Sequence, residues 1–244
     1  MSTSTSPIHS TLNRWLPSML ATTVSVALGM LVGGWSIHAI DPFFPFADLP
    51  DLGISPPPEL VERFRSATFA FHSQNLAVNL GLMGLTMGLA IGLGTTHYRR
   101  WISGICGALC GASGGAITGY FLGMQVASAV IESADQSLVQ AATVHFASWA
   151  GLLVPISIVV GSLQDGVQKA LLNYAVLALL LSVIGGVCYI ICGSLFVPET
   201  NLLFPIPKNL AGRAIWLLCS GIPLAIGLGL GLRDRRRLPA KTEV

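Results

Sequence analysis

The side chains best suited to chemistry in this chain are few, and most stand among apolar residues. His145 leads them, because imidazole changes charge near neutral pH and is also a common metal ligand. His72, with His38 near it in depth, stands at the edge of another apolar run. A haem or metal site would need two such histidines at matching depth, so His72 and His145 form a candidate ligand-binding pair; ordinary hydrogen bonding is the alternative. Asn79 is a candidate lining group within the second apolar run. Pro155 is another, because a proline inside a helix frees a carbonyl and bends the helix into a pocket wall or hinge. The cysteines include two pairs at i,i+4 spacing, Cys106/Cys110 and Cys188/Cys192. That spacing suits a soft metal, but the pairs fall in opposite halves of the membrane, so small-residue packing is expected of them. No metal site and no particular cofactor is assigned.

The run Gly111-Ala112-Ser113-Gly114 resembles the GxSG nucleophile motif of rhomboid-type intramembrane serine proteases, a family with six core spans and a sizeable first external loop. The resemblance implies a serine nucleophile at Ser113, a histidine base at His145, and His72 with Asn75 as an accompanying pair. The chain departs from the family at two points. Ser113 lies in the third apolar run instead of the fourth, and the first external segment lacks the family's Trp-Arg pair. No catalytic residue is assigned.

The elements that must position these residues follow from composition. Of 244 residues, 52% are apolar and only 10% charged, and mean hydropathy is +0.71. A soluble domain carries about a quarter charged residues, so a soluble enzyme or a secreted disulfide scaffold is excluded. The formal charge of +2 is too small to imply a nucleic-acid partner. No Asp, Glu, Lys or Arg occurs in 16–40, 73–96, 101–131, 136–164, 170–198 or 214–232. About 20 residues suffice to cross a bilayer as a helix. The expected fold is therefore all-α, a polytopic transmembrane bundle with spans at 17–40, 73–96, 101–130, 138–163, 170–197 and 213–232, and its first partner is the lipid bilayer.

The apolar run after Arg14 lacks a small-residue cleavage site and reads as a retained first helix. With the N-terminus in the cytoplasm, nine positive residues fall inside, Arg233–Arg237 among them, and four outside: Arg63, Arg65, Lys208 and Arg213. The positive-inside bias then puts both termini in the cytoplasm. Short loops suit a bacterial inner membrane. The expected organisation is a tail over 1–16, a transmembrane domain over 17–232 that includes a proline-rich external cap over 41–72, and a basic tail over 233–244. Within the cap, Leu60, Phe64, Ala67 and Phe71 recur at helical spacing, which predicts a short amphipathic helix at the outer interface.

Glycine spacing is the most specific pattern in the chain. Gly107, Gly111, Gly115, Gly119 and Gly123 recur every four residues, and Gly84, Gly88 and Gly92 repeat the device one span earlier. Such stripes let backbones approach where lipid supplies no hydrophobic drive between helices. They predict glycine-zipper packing, in a hairpin of the second and third spans or against a neighbouring subunit; a groove for a flat ligand such as a lipid chain, quinone or pigment ring is the alternative. The charge-free spans disfavour an ion-coupled carrier. The leading expectation is a non-catalytic integral membrane subunit or assembly factor, packing against other membrane proteins or itself. A small-solute channel or transporter is the first alternative. An intramembrane enzyme or cofactor-binding subunit using His145 and His72 is the second.

Overall fold

The computed structural model describes residues 7–53, 55–95, 99–132, 137–199 and 201–231. Six helices make up the fold: α1 (Pro7–Ile40), α2 (Pro58–Thr95), α3 (Arg100–Glu132), α4 (Leu138–Asp165), α5 (Val167–Phe196) and α6 (Leu210–Gly231). No strand occurs among the described residues. Each helix contains a stretch long and apolar enough to cross a membrane, so the chain reads as a multi-pass membrane protein. Residues 1–6, His97 and the basic cluster Arg233–Arg237 lie outside the described residues.

Two helices start well before the charge-free runs. Pro58 opens α2 at the first helical position, where a missing N–H costs no hydrogen bond, and α1 is already helical at Pro7, the first described residue. The amphipathic segment over 60–71 leads without a break into the second span. At 38 residues α2 is roughly 57 Å long, well beyond the hydrocarbon core of about 30 Å. The connection between α4 and α5 is shorter than expected, reduced to Gly166 at φ 90°, a conformation that suits glycine. A π-helical stretch, Ala170–Ala175, follows within α5. There the Tyr174 ring lies over Gly161 and its hydroxyl donates to the Asp165 carboxylate.

The helices close into a ring. Each packs on the next in chain order, α6 returns to α1, and α2 also reaches α4. The closest approach is between α2 and α3. A methyl group built on Gly84 would fall on the Gly111 carbonyl, and one on Gly88 on the Gly107 carbonyl, well inside 3.0 Å. Gly92 meets Ser103 and Gly104 in the same way. Farther along, Gly115, Gly119 and Gly123 meet the backbones of Leu80, Leu76 and His72–Ser73. From the other side, Val160, Ile156 and Leu152 of α4 cover Gly107, Gly111 and Gly115. On α1, Gly29 and Gly33 receive Ala90, Thr86 and Met83 of α2.

Pro155 belongs to this packing. It lies against Gly114 of α3, where an added methyl would stand 2.6 Å from the proline ring and 2.5 Å from the Gly151 carbonyl. The interior is filled by large side chains. Trp149 of α4 stacks on Trp216 of α6 with centroids 4.9 Å apart, and Met83, Met87, Ile91, Leu152 and Ile156 are fully buried.

The packing separates two neighbouring glycines of α2. Gly84→Ala is expected to lower stability by about 1–3 kcal/mol, the usual cost of overpacking. Gly81→Ala is expected to stay within about 0.5 kcal/mol of the parent, because its methyl would meet Ala112 at an ordinary 3.5 Å. Unfolding titrations in mixed micelles compare the two directly; equal losses would contradict the packing.

Candidate functional site

The polar residues gather at one end of the bundle, where α1, α3 and α5 finish and α2, α4 and α6 begin. Here the described parts of the first connection, 41–53 and 55–57, and of the last, 197–199 and 201–209, lie at the helix ends. Asn75 of α2 clamps the first of these: it accepts from the Phe44 N–H at 2.8 Å and returns a bond to the Phe44 carbonyl at 2.9 Å. Phe46 packs beside Phe64 and Phe71, so the amphipathic face of α2 is covered by the chain's own phenylalanines.

Next to this clamp is a buried ion pair. Asp41, just past the end of α1, pairs with Arg213 in the first turn of α6. Arg213 also donates from Nε to the Pro207 carbonyl at 2.7 Å, and its Nη1 stands 3.5 Å from His38 Nδ1. The remaining Asp41 oxygen accepts from Asn79 Nδ2 at 2.9 Å. One carboxylate therefore ties α1, α2 and α6 together. Charge-assisted bonds of this kind are the stronger class, and the pair offsets the desolvation of both ions at the edge of the membrane core. Asn79 is thus a ligand of Asp41, not an isolated lining group.

His145 lies deeper. It is fully buried, and its Nε2 stands 2.9 Å from the Leu202 carbonyl. A carbonyl only accepts, so Nε2 carries the proton and Nδ1 presents a lone pair. The Tyr189 ring of α5 meets the imidazole edge-on at 4.4 Å. One turn along α4, Trp149 stacks on Trp216. His145 Nδ1, the Tyr189 hydroxyl and both indole N–H groups have no hydrogen-bond partner among the described residues.

His72 is elsewhere. Its ring lies 5.2 Å from Phe71 and 5.9 Å from Phe204. The two histidines thus engage different residues of the same connection, Leu202 and Phe204, and no contact joins them. Among the described residues, no group of three or more His, Cys, Asp or Glu side chains could hold a metal ion. The implied Ser113–His145 pair is likewise not formed. Ser113 is on the exposed face of α3, His145 is buried, and Asn75 is spent on Phe44.

Two groupings escaped the sequence reading. The Asp41–Arg213 pair had one visible signal, opposite charges at the ends of charge-free runs that finish at the same side of the membrane. Cys219 of α6 lies near Cys192 and Cys188 of α5, bringing together cysteines that spacing alone could not join. No family model, curated protein or solved structure matches this chain.

Arg213→Leu is expected to cost about 2–4 kcal/mol, somewhat less than a fully buried pair would, since the Asp41 side chain is 22% exposed. Adding Asp41→Leu should recover part of that loss, because the stranded carboxylate is removed with it; a double variant no better than the single would contradict the pairing. Tyr189→Phe should leave stability unchanged or raise it by about 1 kcal/mol, since it removes an unpartnered donor. Thermal unfolding in detergent reads both.

Proposed function

We propose that this protein is a non-catalytic integral membrane subunit or assembly factor. The observation that carries the reading is the filled interior: Trp149, Trp216, Tyr189, Met83, Met87, Ile91 and Leu152 are fully buried within the ring of helices. Close packing of this kind suits a body that holds a fixed shape against its neighbours. Glycine-zipper packing of α2 on α3 belongs to the same proposal, as the means of holding the bundle together where lipid offers no hydrophobic drive.

The glycines of these two helices meet backbones and side chains of their own chain. A partner subunit therefore docks on the larger outward residues, such as Leu109, Ile117 and Phe121 of α3, all at least 60% exposed. The orientation proposed keeps both termini in the cytoplasm, on the count of nine positive residues against four, and the membrane proposed is a bacterial inner membrane. Extraction in mild detergent followed by native mass measurement tests the reading. Stoichiometric foreign subunits are expected, released by Leu109→Ala/Phe121→Ala with the fold retained. A clean monomer or homo-oligomer would overturn it.

A cofactor-binding subunit is the second reading, favoured by the four unpartnered polar atoms around His145 and Trp149. It predicts a visible absorbance band in the purified protein, lost in His145→Ala. A colourless preparation that is insensitive to that substitution would exclude a coloured group at this position.

A further inference from the structure

Small residues bring α5 and α6 together along one seam. Ser220 Oγ of α6 donates to the Gly185 carbonyl of α5 at 2.9 Å. A methyl group built on Gly185 would touch Leu224 at 3.5 Å, and one built on Gly227 would meet the Leu181 side chain. These contacts set an antiparallel register, with 181 beside 227 and 185 beside 220 and 224.

Continued toward the polar end of the bundle, the same register places three of the five cysteines. Cys219 is the neighbour of Ser220. Cys188 and Cys192 follow Gly185 by three and seven residues. At 3.6 residues per turn, Cys192 returns to within about 20° of the Gly185 face, and Cys188 stands about 60° round from it. Because the helices are antiparallel, Cys188 and Cys219 turn to the same flank of the seam. Cys219 accordingly lies near both Cys192 and Cys188. All three thiols are half-buried and free.

The chemistry open to them is pairwise, since among the described residues no three such groups could hold one metal ion. Within α5, Cys188 and Cys192 cannot join. Cβ atoms four residues apart on a helix are separated by about 5–6 Å, beyond the roughly 3.5–4.5 Å that a disulfide spans. A bond must therefore cross the seam, where the Ser220 hydroxyl already reaches the opposite backbone. Cys192, in line with Gly185, is the better placed partner for Cys219.

We propose that Cys192 and Cys219 form a redox-active pair that closes into a disulfide joining α5 to α6. The oxidant is itself a disulfide, and the reaction is thiol–disulfide exchange. Cys192 stands four residues before Phe196, the last residue of α5, and is the thiol nearer water. Its thiolate attacks the oxidant and expels one of the oxidant's sulfurs, leaving a mixed disulfide. Cys219 then attacks the Cys192 sulfur and expels the other. One S–S bond forms in the protein and one breaks in the oxidant. Two electrons pass to the oxidant, and the two cysteine protons end on its leaving sulfurs. Disulfides persist outside the cytosol, the side on which the orientation proposed above puts this end of the seam; closure of the bond in purified protein does not depend on that orientation.

The test uses the full chain in mild detergent, reduced and then given about one equivalent of dithiodipyridine, with peptides mapped by mass spectrometry. About two thiopyridones released per chain are expected, since exchange through both thiols expels both halves of the reagent. The expected product is a linked peptide pair containing Cys192 and Cys219, which a reductant separates again. Cys188→Ala should keep this link, and Cys219→Ala should leave no link within the chain. Release that stops at a pyridyl adduct would overturn the proposal. So would a link through Cys188 in place of Cys192, or links formed only between chains.

Discussion

The contact between α2 and α3 is the constraint on which the other arrangements depend. In a bilayer, apolar side chains gain little by leaving lipid for one another, so helices are held by dispersion contacts and by how closely their backbones approach. Gly84 against Gly111 and Gly88 against Gly107 bring carbonyls within the space that a single methyl group would occupy. With that hairpin drawn tight, Leu152, Ile156 and Val160 of α4 reach over α3 and meet the same glycines from the other side. The cross-bundle contact of α2 with α4 and the stacked Trp149 and Trp216 are in keeping with helices drawn this close.

Small residues and large ones thus divide the labour between interfaces. Glycines of α2 and α3 face one another's backbones, whereas tryptophan, tyrosine and methionine fill the volume that the ring encloses. A cleft of about 360 Å³ lined by Val126, Ala129 and Val144 opens between α3 and α4. It begins where the glycine pattern of α3 ends, so backbone contact and opening are consecutive consequences of one helix sequence.

At the end where the polar residues gather, a second requirement applies. Backbone and side-chain polar groups near the edge of the hydrocarbon need partners within the protein. Asn75 supplies both a donor and an acceptor to Phe44, while Asp41 and Arg213 satisfy one another and gather Asn79 and His38. The cap is held by these few polar contacts and by aromatic packing of Phe46 on Phe64 and Phe71. The atoms around His145 and Trp149, like Asn79 Oδ1, are buried polar groups with no hydrogen-bond partner among the described residues.

What the sequence determined by itself was the class of fold. Charge-free runs of span length, set by the cost of placing ions in hydrocarbon, located all six helices, and regular glycine spacing marked which helix faces were smooth. Helix ends were less legible: Pro58 starts α2 well outside its apolar run, because helix initiation answers to backbone geometry and not to hydropathy. The polar groupings belong to tertiary structure alone. Asp41 and Arg213 are 172 residues apart, and His145 meets Leu202 across 57. Periodicity along one helix carries no information about which residue of another chain segment will stand opposite. The candidate pair His72 and His145 came apart for that reason. His72 packs against Phe71 and Phe204, whereas His145 meets Leu202 and Tyr189.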